Sequence, residues 1–201
     1  GANIDDIAKT IGLDPRIGAL FLNAGPGYGG SCLPKDMKAL ISFADKIGIN
    51  PILLNAVEKT NQKQIQNIVS LMEKTLGTLA SKRITVLGTA FKPNTDDVRD
   101  SIAIELIKKL LKKKSRITIY DPKAMKNTRN VFGEKIIYAG SIADALNKSQ
   151  CAILMTHWKQ FERFNNNSMK HMSKKFIIDC RRILVEKELQ AEYHAIGIGK
   201  I

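Results

Sequence analysis

Between Gly25 and Asp36 the chain reads Gly-Pro-Gly-Tyr-Gly-Gly-Ser-Cys-Leu-Pro-Lys-Asp, with four glycines in six positions. So dense a run excludes regular structure and lets the backbone pass close to a ligand. Directly after it, Met37, Leu40, Ile41, Ala44 and Ile47 recur at i, i+3, i+4, i+7 and i+10, the repeat of an amphipathic helix. Pro34 suits its first turn and Gly48 its end. Cys32 is thereby placed just ahead of a helix N-terminus and beside Lys35, where the helix dipole and a cation both favour a thiolate. Asp36, one turn further on, is placed to act as a base for the thiol or for water. A small residue packed under a tight turn is the plainer reading of an isolated cysteine, and the density of glycines weighs against it.

On the N-terminal side, residues 3–11 read as a short helix with an Asn cap and two acids in its first turn. On the C-terminal side, a long apolar pattern from Pro51 to Leu76 is either one helix of about 40 Å, suited to bridging domains or to a dimer seam, or two helices kinked near Asn61. The stretch 77–82 is a plausible boundary, dividing the chain into 1–78 and 79–201. Beyond it the pattern changes to strands at 84–87, 116–120, about 135–138, 151–155 and 176–179, with helices at 102–111 and 141–147 between them. Strands separated by helices indicate a parallel sheet wrapped by helices. The expected fold class is therefore α/β: a helical domain followed by a Rossmann-like parallel-sheet domain.

Two stretches fall at the carboxyl ends of these strands, the usual ligand edge of an open α/β sheet. The loop Phe91-Lys-Pro-Asn-Thr-Asp-Asp-Val-Arg99-Asp-Ser101 stands where a dinucleotide fold would carry GxGxxG, and only Gly88 of that fingerprint is present. Lys92 and Arg99 are read as phosphate contacts. In Asp179-Cys180-Arg181-Arg182 the paired arginines are placed to clamp a diphosphate. Residues 1–77 hold 8 Lys/Arg against 7 Asp/Glu and residues 78–201 hold 24 against 12, so nearly all of the net charge of +13 lies in the second half. An anionic partner is expected there.

Other features exclude more than they suggest. The three cysteines are far apart, with no spacing for a metal site or a disulfide framework, and Cys151 in its apolar run reads as a buried structural thiol. His157-Trp158 after a strand reads as packing. The lysines at 108, 109 and 112–114 close a helix, with no aromatics interleaved and no recognised reader motif, so nucleic acid is not expected as a partner. No apolar run is long enough to span a membrane and no charged-then-apolar leader is present, so the expected location is cytoplasmic.

With those residues in hand, the chain resembles the UDP-glucose/GDP-mannose dehydrogenase family. Two long signatures carry the likeness: Phe21-Leu-Asn-Ala-Gly-Pro-Gly-Tyr-Gly-Gly-Ser-Cys-Leu-Pro-Lys-Asp36 and Ala90-Phe-Lys-Pro-Asn-Thr-Asp-Asp-Val-Arg-Asp-Ser101. The similarity runs from Gly1-Ala2 to the closing Gly197-Ile198-Gly199. It implies a central helical, dimer-forming domain and a C-terminal nucleotide-sugar-binding domain. The family's NAD-binding domain, and the lysine and asparagine it contributes to the active site, would precede residue 1, so the chain by itself is expected to be inactive. The resemblance further implies an NAD-dependent, two-step oxidation of a sugar primary alcohol, with Cys32 as covalent catalyst through a thiohemiacetal and a thioester, and Asp36 assisting proton transfer. It places the sugar nucleotide along Phe21, Leu22, Asn23, Ala24 and Gly25, at Tyr28 and Gly29, and against Phe91, Lys92 and Arg181. Lys35 and Arg99 match residues that reach NAD, and Arg16 matches an arginine supplied across a homodimer in some members. Cys180 departs from the glycine usual in the family. The residues after Cys32 and Tyr28 favour UDP-glucose as substrate over GDP-mannose or a UDP-N-acetylhexosamine; a non-catalytic sugar-nucleotide module is the alternative from outside catalysis.

Overall fold

The computed structural model describes residues 2–197; of the stretch just compared, Gly1, Ile198 and Gly199 lie outside the described residues. Three helices come first: α1 (Ile4–Ile11), α2 (Leu33–Lys46) and α3 (Ile52–Leu76). Asn3 caps α1 by accepting the Asp5 N–H, and Asp5 and Asp6 stand in its first turn as the dipole favours. α2 begins at the cysteine, with Cys32 as its N-cap residue and Pro34 in the first turn. α3 is unbroken over 25 residues, about 37 Å, so the kink weighed at Asn61 is absent.

The remainder alternates β1 (Arg83–Leu87), α4 (Ile102–Lys112), β2 (Arg116–Tyr120), α5 (Met125–Phe132), β3 (Ile137–Tyr138), α6 (Ile142–Leu146), β4 (Cys151–Leu154), β5 (Phe176–Asp179) and β6 (Glu192–Ala195), with single 3-10 turns between them. The six strands form one parallel sheet in the order β3-β2-β1-β4-β5-β6. This is a doubly wound order, with the chain reversing its direction of travel between β1 and β4. Neither β6 nor α5 follows from the sequence pattern. β6 (Glu-Tyr-His-Ala) lacks apolar alternation and exists because it pairs in register with the buried β5, Phe176 opposite Glu192 through Asp179 opposite Ala195.

The sheet sorts its side chains by the period of two. Ile84, Val86, Ile117, Ile119, Ile153 and Ile178 face one layer, formed by α4 and the last turns of α3. Leu87, Ala152, Leu154 and Ile177 face the other, filled by Leu146, Trp158, Phe161, Phe164 and Met169. α3 therefore belongs to two environments. Ile65, Ile68, Val69 and Met72 are buried in the sheet's core, whereas Ile52 and Leu53 at its start are about three-quarters exposed. Cys151 is fully buried, as its apolar neighbours imply, and burial raises its thiol pKa.

Candidate functional site

The glycine loop is gripped at three places, and each grip uses the absence of a side chain. At Gly25 a Cβ would come within 2.6 Å of Arg181 Nη1. At Gly27, in the left-handed region, a Cβ would strike Asn61 of α3. Asn61 then closes a two-bond clamp on the next residue: the Tyr28 N–H donates to Oδ1 (2.8 Å) and Nδ2 donates to the Tyr28 carbonyl (3.0 Å). The Tyr28 hydroxyl donates to Glu58 one turn earlier on the same helix (2.8 Å). Burial, then that hydrogen bond and the Glu58 charge, push the phenol up to about 12. At Gly29 and Gly30 the loop lies against the segment after β1. A Cβ on Gly29 would overlap the Asp100 carbonyl, which accepts the Gly30 N–H at 3.3 Å, and one on Gly30 would meet the Phe91 ring at 2.5 Å. The helical layer and two loops of the sheet thus converge on six residues of backbone.

Past these grips the chain enters α2 at Cys32, which is exposed and has Ser31 Oγ at 3.8 Å from its sulfur. The Cys32 carbonyl accepts the Asp36 N–H at 2.9 Å, so Asp36 follows the cysteine by one helical turn. Lys35 forms an ion pair with Asp36. The pairing, and more weakly the nearby Cys32, raise the Lys35 pKa. Arg99 pairs bidentately with Asp97 and also feels the Cys32 charge; the carboxylate raises the Arg99 pKa and the guanidinium lowers that of Asp97. Two exposed cations, each paired with a neighbouring carboxylate, therefore stand near the exposed sulfur at the start of α2.

The loops at the carboxyl ends of the strands carry the remaining expected residues. Lys92 lies over the Phe91 ring, 5.3 Å from its centroid. The expected arginine clamp is not formed. Arg181 is mostly buried, donates through Nε to the Met155 carbonyl (2.8 Å) and turns its tip to Gly25. Arg182, in the left-handed region, points the other way and is spent on structure: it bonds Asp5, the Asn3 side chain (3.0 Å) and the Ile196 carbonyl (3.0 Å). A reversal of chain direction between neighbours sends one arginine to the loop and one to α1. His157 corrects a second expectation, being exposed and 3.1 Å from Glu162, while Trp158 alone packs in the core.

Of the other expected residues, Phe21 is almost completely exposed with a positive φ of 66°, and Asn23 is exposed beside half-buried Leu22 and Ala24. Arg16 is exposed and pairs with Asp14 of its own turn. Beside the loop, Ala24, Gly25, Tyr28, Leu53, Val57 and Asn61 contribute to a largely apolar cleft of about 580 Å³. Sequence reasoning missed Asn61, Glu58 and Asp121. Asp121 directly follows β2, and its buried carboxyl accepts from the N–H groups of Thr89, Ala90, Lys123 and Ala124 and from Trp158 Nε1. It thereby fixes the start of the Phe91–Ser101 loop. The Asp-Pro pair after a β-branched strand was its visible signal.

The chain matches two family models: the central domain of the UDP-glucose/GDP-mannose dehydrogenase family over residues 1–63 and the UDP-binding domain of that family over residues 85–186. The chain belongs to this family. Among curated relatives, a UDP-glucose 6-dehydrogenase of Rickettsia felis is 38% identical over 98% of this chain and 45% of its own length. One of Haloferax volcanii is 42% identical over 94% of this chain and 43% of its own length. The fold matches a UDP-glucose dehydrogenase structure from Pyrobaculum islandicum with a TM-score of 0.90 and 34% identity, over 99% of this chain and 44% of that one. It also matches a UDP-D-ManNAc dehydrogenase structure from Pyrococcus horikoshii with a TM-score of 0.80 and 25% identity, over 100% of this chain and 46% of that one. The chain thus spans less than half the length of these relatives.

Proposed function

We propose that this chain is the substrate-holding part of an NAD-dependent UDP-glucose 6-dehydrogenase, divided at 78/79 into a central helical domain and a UDP-sugar-binding domain. The observation that carries the reading is the contact of Arg181 with Gly25. It joins an arginine of the sheet's ligand edge to the backbone that leads into Cys32, so one ligand can meet a cation, a glycine bed and a nucleophile in sequence.

In this reading the diphosphate lies against Lys92 and Arg181, and the sugar lies along Phe21–Gly25 and Gly29 with C6 at Cys32. The sulfur adds to the C6 aldehyde as a thiohemiacetal, which loses a hydride and a proton to become a thioester. Water then adds to the thioester carbon, Asp36 takes its proton, and the C–S bond breaks to release the carboxylate and restore the thiol. NAD supplies the hydride acceptor for both oxidations. Lys35 and Arg99 fit a phosphate edge of that dinucleotide. The sheet here does not fit its main seat, because Gly88 (φ 89°) is required by Thr156 packed against it and no further fingerprint glycine follows.

A second copy of the chain is the proposed cover for the exposed apolar side chains Leu40, Phe43, Ile47, Ile52 and Leu53 of α2 and α3, with Arg16 reaching the partner's site. Among the described residues no helix is long and apolar enough to cross a membrane. The cytoplasm, where thiols stay reduced, suits a free Cys32. Calorimetry with UDP-glucose, GDP-mannose and UDP-N-acetylglucosamine tests the substrate: preference for the guanine nucleotide overturns the reading. Hydride transfer is tested in the protein extended upstream by its NAD domain, where Cys32→Ser must abolish carboxylate formation.

A further inference from the structure

Much of the basic charge of the second half lies away from the carboxyl edge where a nucleotide would use it. The amino ends of all six parallel strands lie on the edge of the sheet opposite the Cys32 loop, and the residues that lead into them are largely cations. Hydrogen bonds show that these residues adjoin one another. The Arg116 N–H donates to the Lys82 carbonyl and the Ser81 N–H to the Lys114 carbonyl, each at 2.8 Å. Arg83 Nε donates to the Lys148 carbonyl at 2.6 Å, and the Glu192 N–H donates to the Lys175 carbonyl at 2.9 Å. The end of α4 adds Lys112 and Lys113 to the same rim, and the run into β3 adds Lys135. The acids on this edge are already engaged, Glu73 by Lys113 and Glu192 by Lys174 and Thr75. On the opposite rim, by contrast, Asp96, Asp97, Asp100 and Asp179 are interspersed with Lys92, Arg99, Arg181 and Arg182.

We propose that this lysine-rich amino edge of the sheet is a docking surface for an anionic phospholipid bilayer, on which the protein adsorbs with the Cys32 loop facing away. Three observations favour lipid over nucleic acid. The charge sits mainly on lysine amines with flexible stems, which suit a diffuse plane of anions, and only Arg83 and Arg116 offer planar forks. Among the described residues the edge presents strand ends and turns, with no helix or ribbon projecting to enter a groove and no exposed aromatic to stack a base. Ile137, 62% exposed at the start of β3 beside Lys135, supplies an apolar side chain that can enter the headgroup region. Adsorption of this kind needs no spanning helix and leaves the candidate active site open to water.

The test is co-sedimentation of the purified chain with phosphatidylglycerol vesicles and with phosphatidylcholine vesicles, at low and high salt. The variant Lys112→Glu/Arg116→Glu/Lys135→Glu alters three exposed side chains that make no ion pair among the described residues. A control, Lys9→Glu/Lys38→Glu/Lys63→Glu, makes the same charge change on the helical layer. Expected are binding to phosphatidylglycerol alone, release by salt, and at least about a tenfold loss of partitioning in the rim variant but not in the control. Matched circular dichroism and melting temperatures show that both variants fold. Equal binding to the two lipids, equal losses in the two variants, no binding at low salt, or tighter binding to duplex DNA than to the anionic vesicles each overturns the proposal.

Discussion

The two edges of the single sheet are built from the same strands and treat charge in opposite ways. At the carboxyl edge, charged groups are tied to one another and to backbone: Asp97 to Arg99, Asp121 to five donors, Arg181 to Met155 and Gly25, Arg182 to α1. At the amino edge, Lys112, Lys114, Arg116 and Lys135 are exposed, and their side chains form no ion pair among the described residues. The first edge spends its polar groups on holding loops in one geometry. The second is held largely by main-chain bonds and the Arg83, Lys113 and Lys174 side chains, and leaves those four cations unspent. A composition that is strongly basic therefore says nothing about which edge takes the anion. Fixed geometry marks a site for a small ligand, and unspent like charge marks a surface.

The contrast can be broken at either edge. The largest effect is expected at Cys32: Cys32→Ala in the protein completed by its NAD domain should lower UDP-glucose oxidation by about 10⁴-fold or more, read as NADH formation. Asp121→Asn should come next, costing about 3 kcal/mol in chemical denaturation, because the new amide turns donors toward the Thr89, Ala90 and Trp158 N–H groups. The neighbouring arginines should separate. Arg181→Ala should weaken UDP-glucose binding by roughly 10–100-fold in calorimetry, whereas Arg182→Ala should lower the melting temperature and leave the intrinsic affinity nearly unchanged. The Tyr28 phenol gives a smaller, pH-bound effect. Its pKa is raised in the fold to about 12, so its contribution is complete below the ordinary phenol value near 10 and is lost as pH rises through about 12. Denaturation midpoints across that window should fall less in Tyr28→Phe. The smallest change in stability is expected from Lys112→Glu at the amino edge, within about 0.5 kcal/mol; a large loss there would mean that this edge also holds the fold together.

What the sequence made legible was local. The glycine run, the helix start at Cys32 and the strands near 84, 116, 151 and 176 follow from spacing and turn chemistry within a dozen residues, and each stands close to its expected place. The parts that escaped depend on distant partners. β6 is a strand only because β5 lies beside it, and Asn61 matters only because the glycine loop, 33 residues away, passes its amide. Arg181 and Arg182 look equivalent in one dimension. Their division of labour comes from the left-handed backbone at Arg182, for which an Arg-Arg pair carries no signal. The basic half does match a UDP-binding domain, but composition could not say where on it the charge stands: it records charge and not the edge to which a strand's end is delivered.

Arg182 fastens α1 to the sheet, and Arg181, one residue earlier, rests on Gly25 of the helical layer. A ligand seated between Gly25 and Arg181 is consequently shared by two parts of the chain, and its binding energy is also adhesion energy between them. Occupancy should raise the unfolding temperature in a saturable way, following the logarithm of ligand concentration. Loosening the Arg182 fastening should make that rise steeper in its effect on the seam, so that the substrate itself acts as the missing rivet.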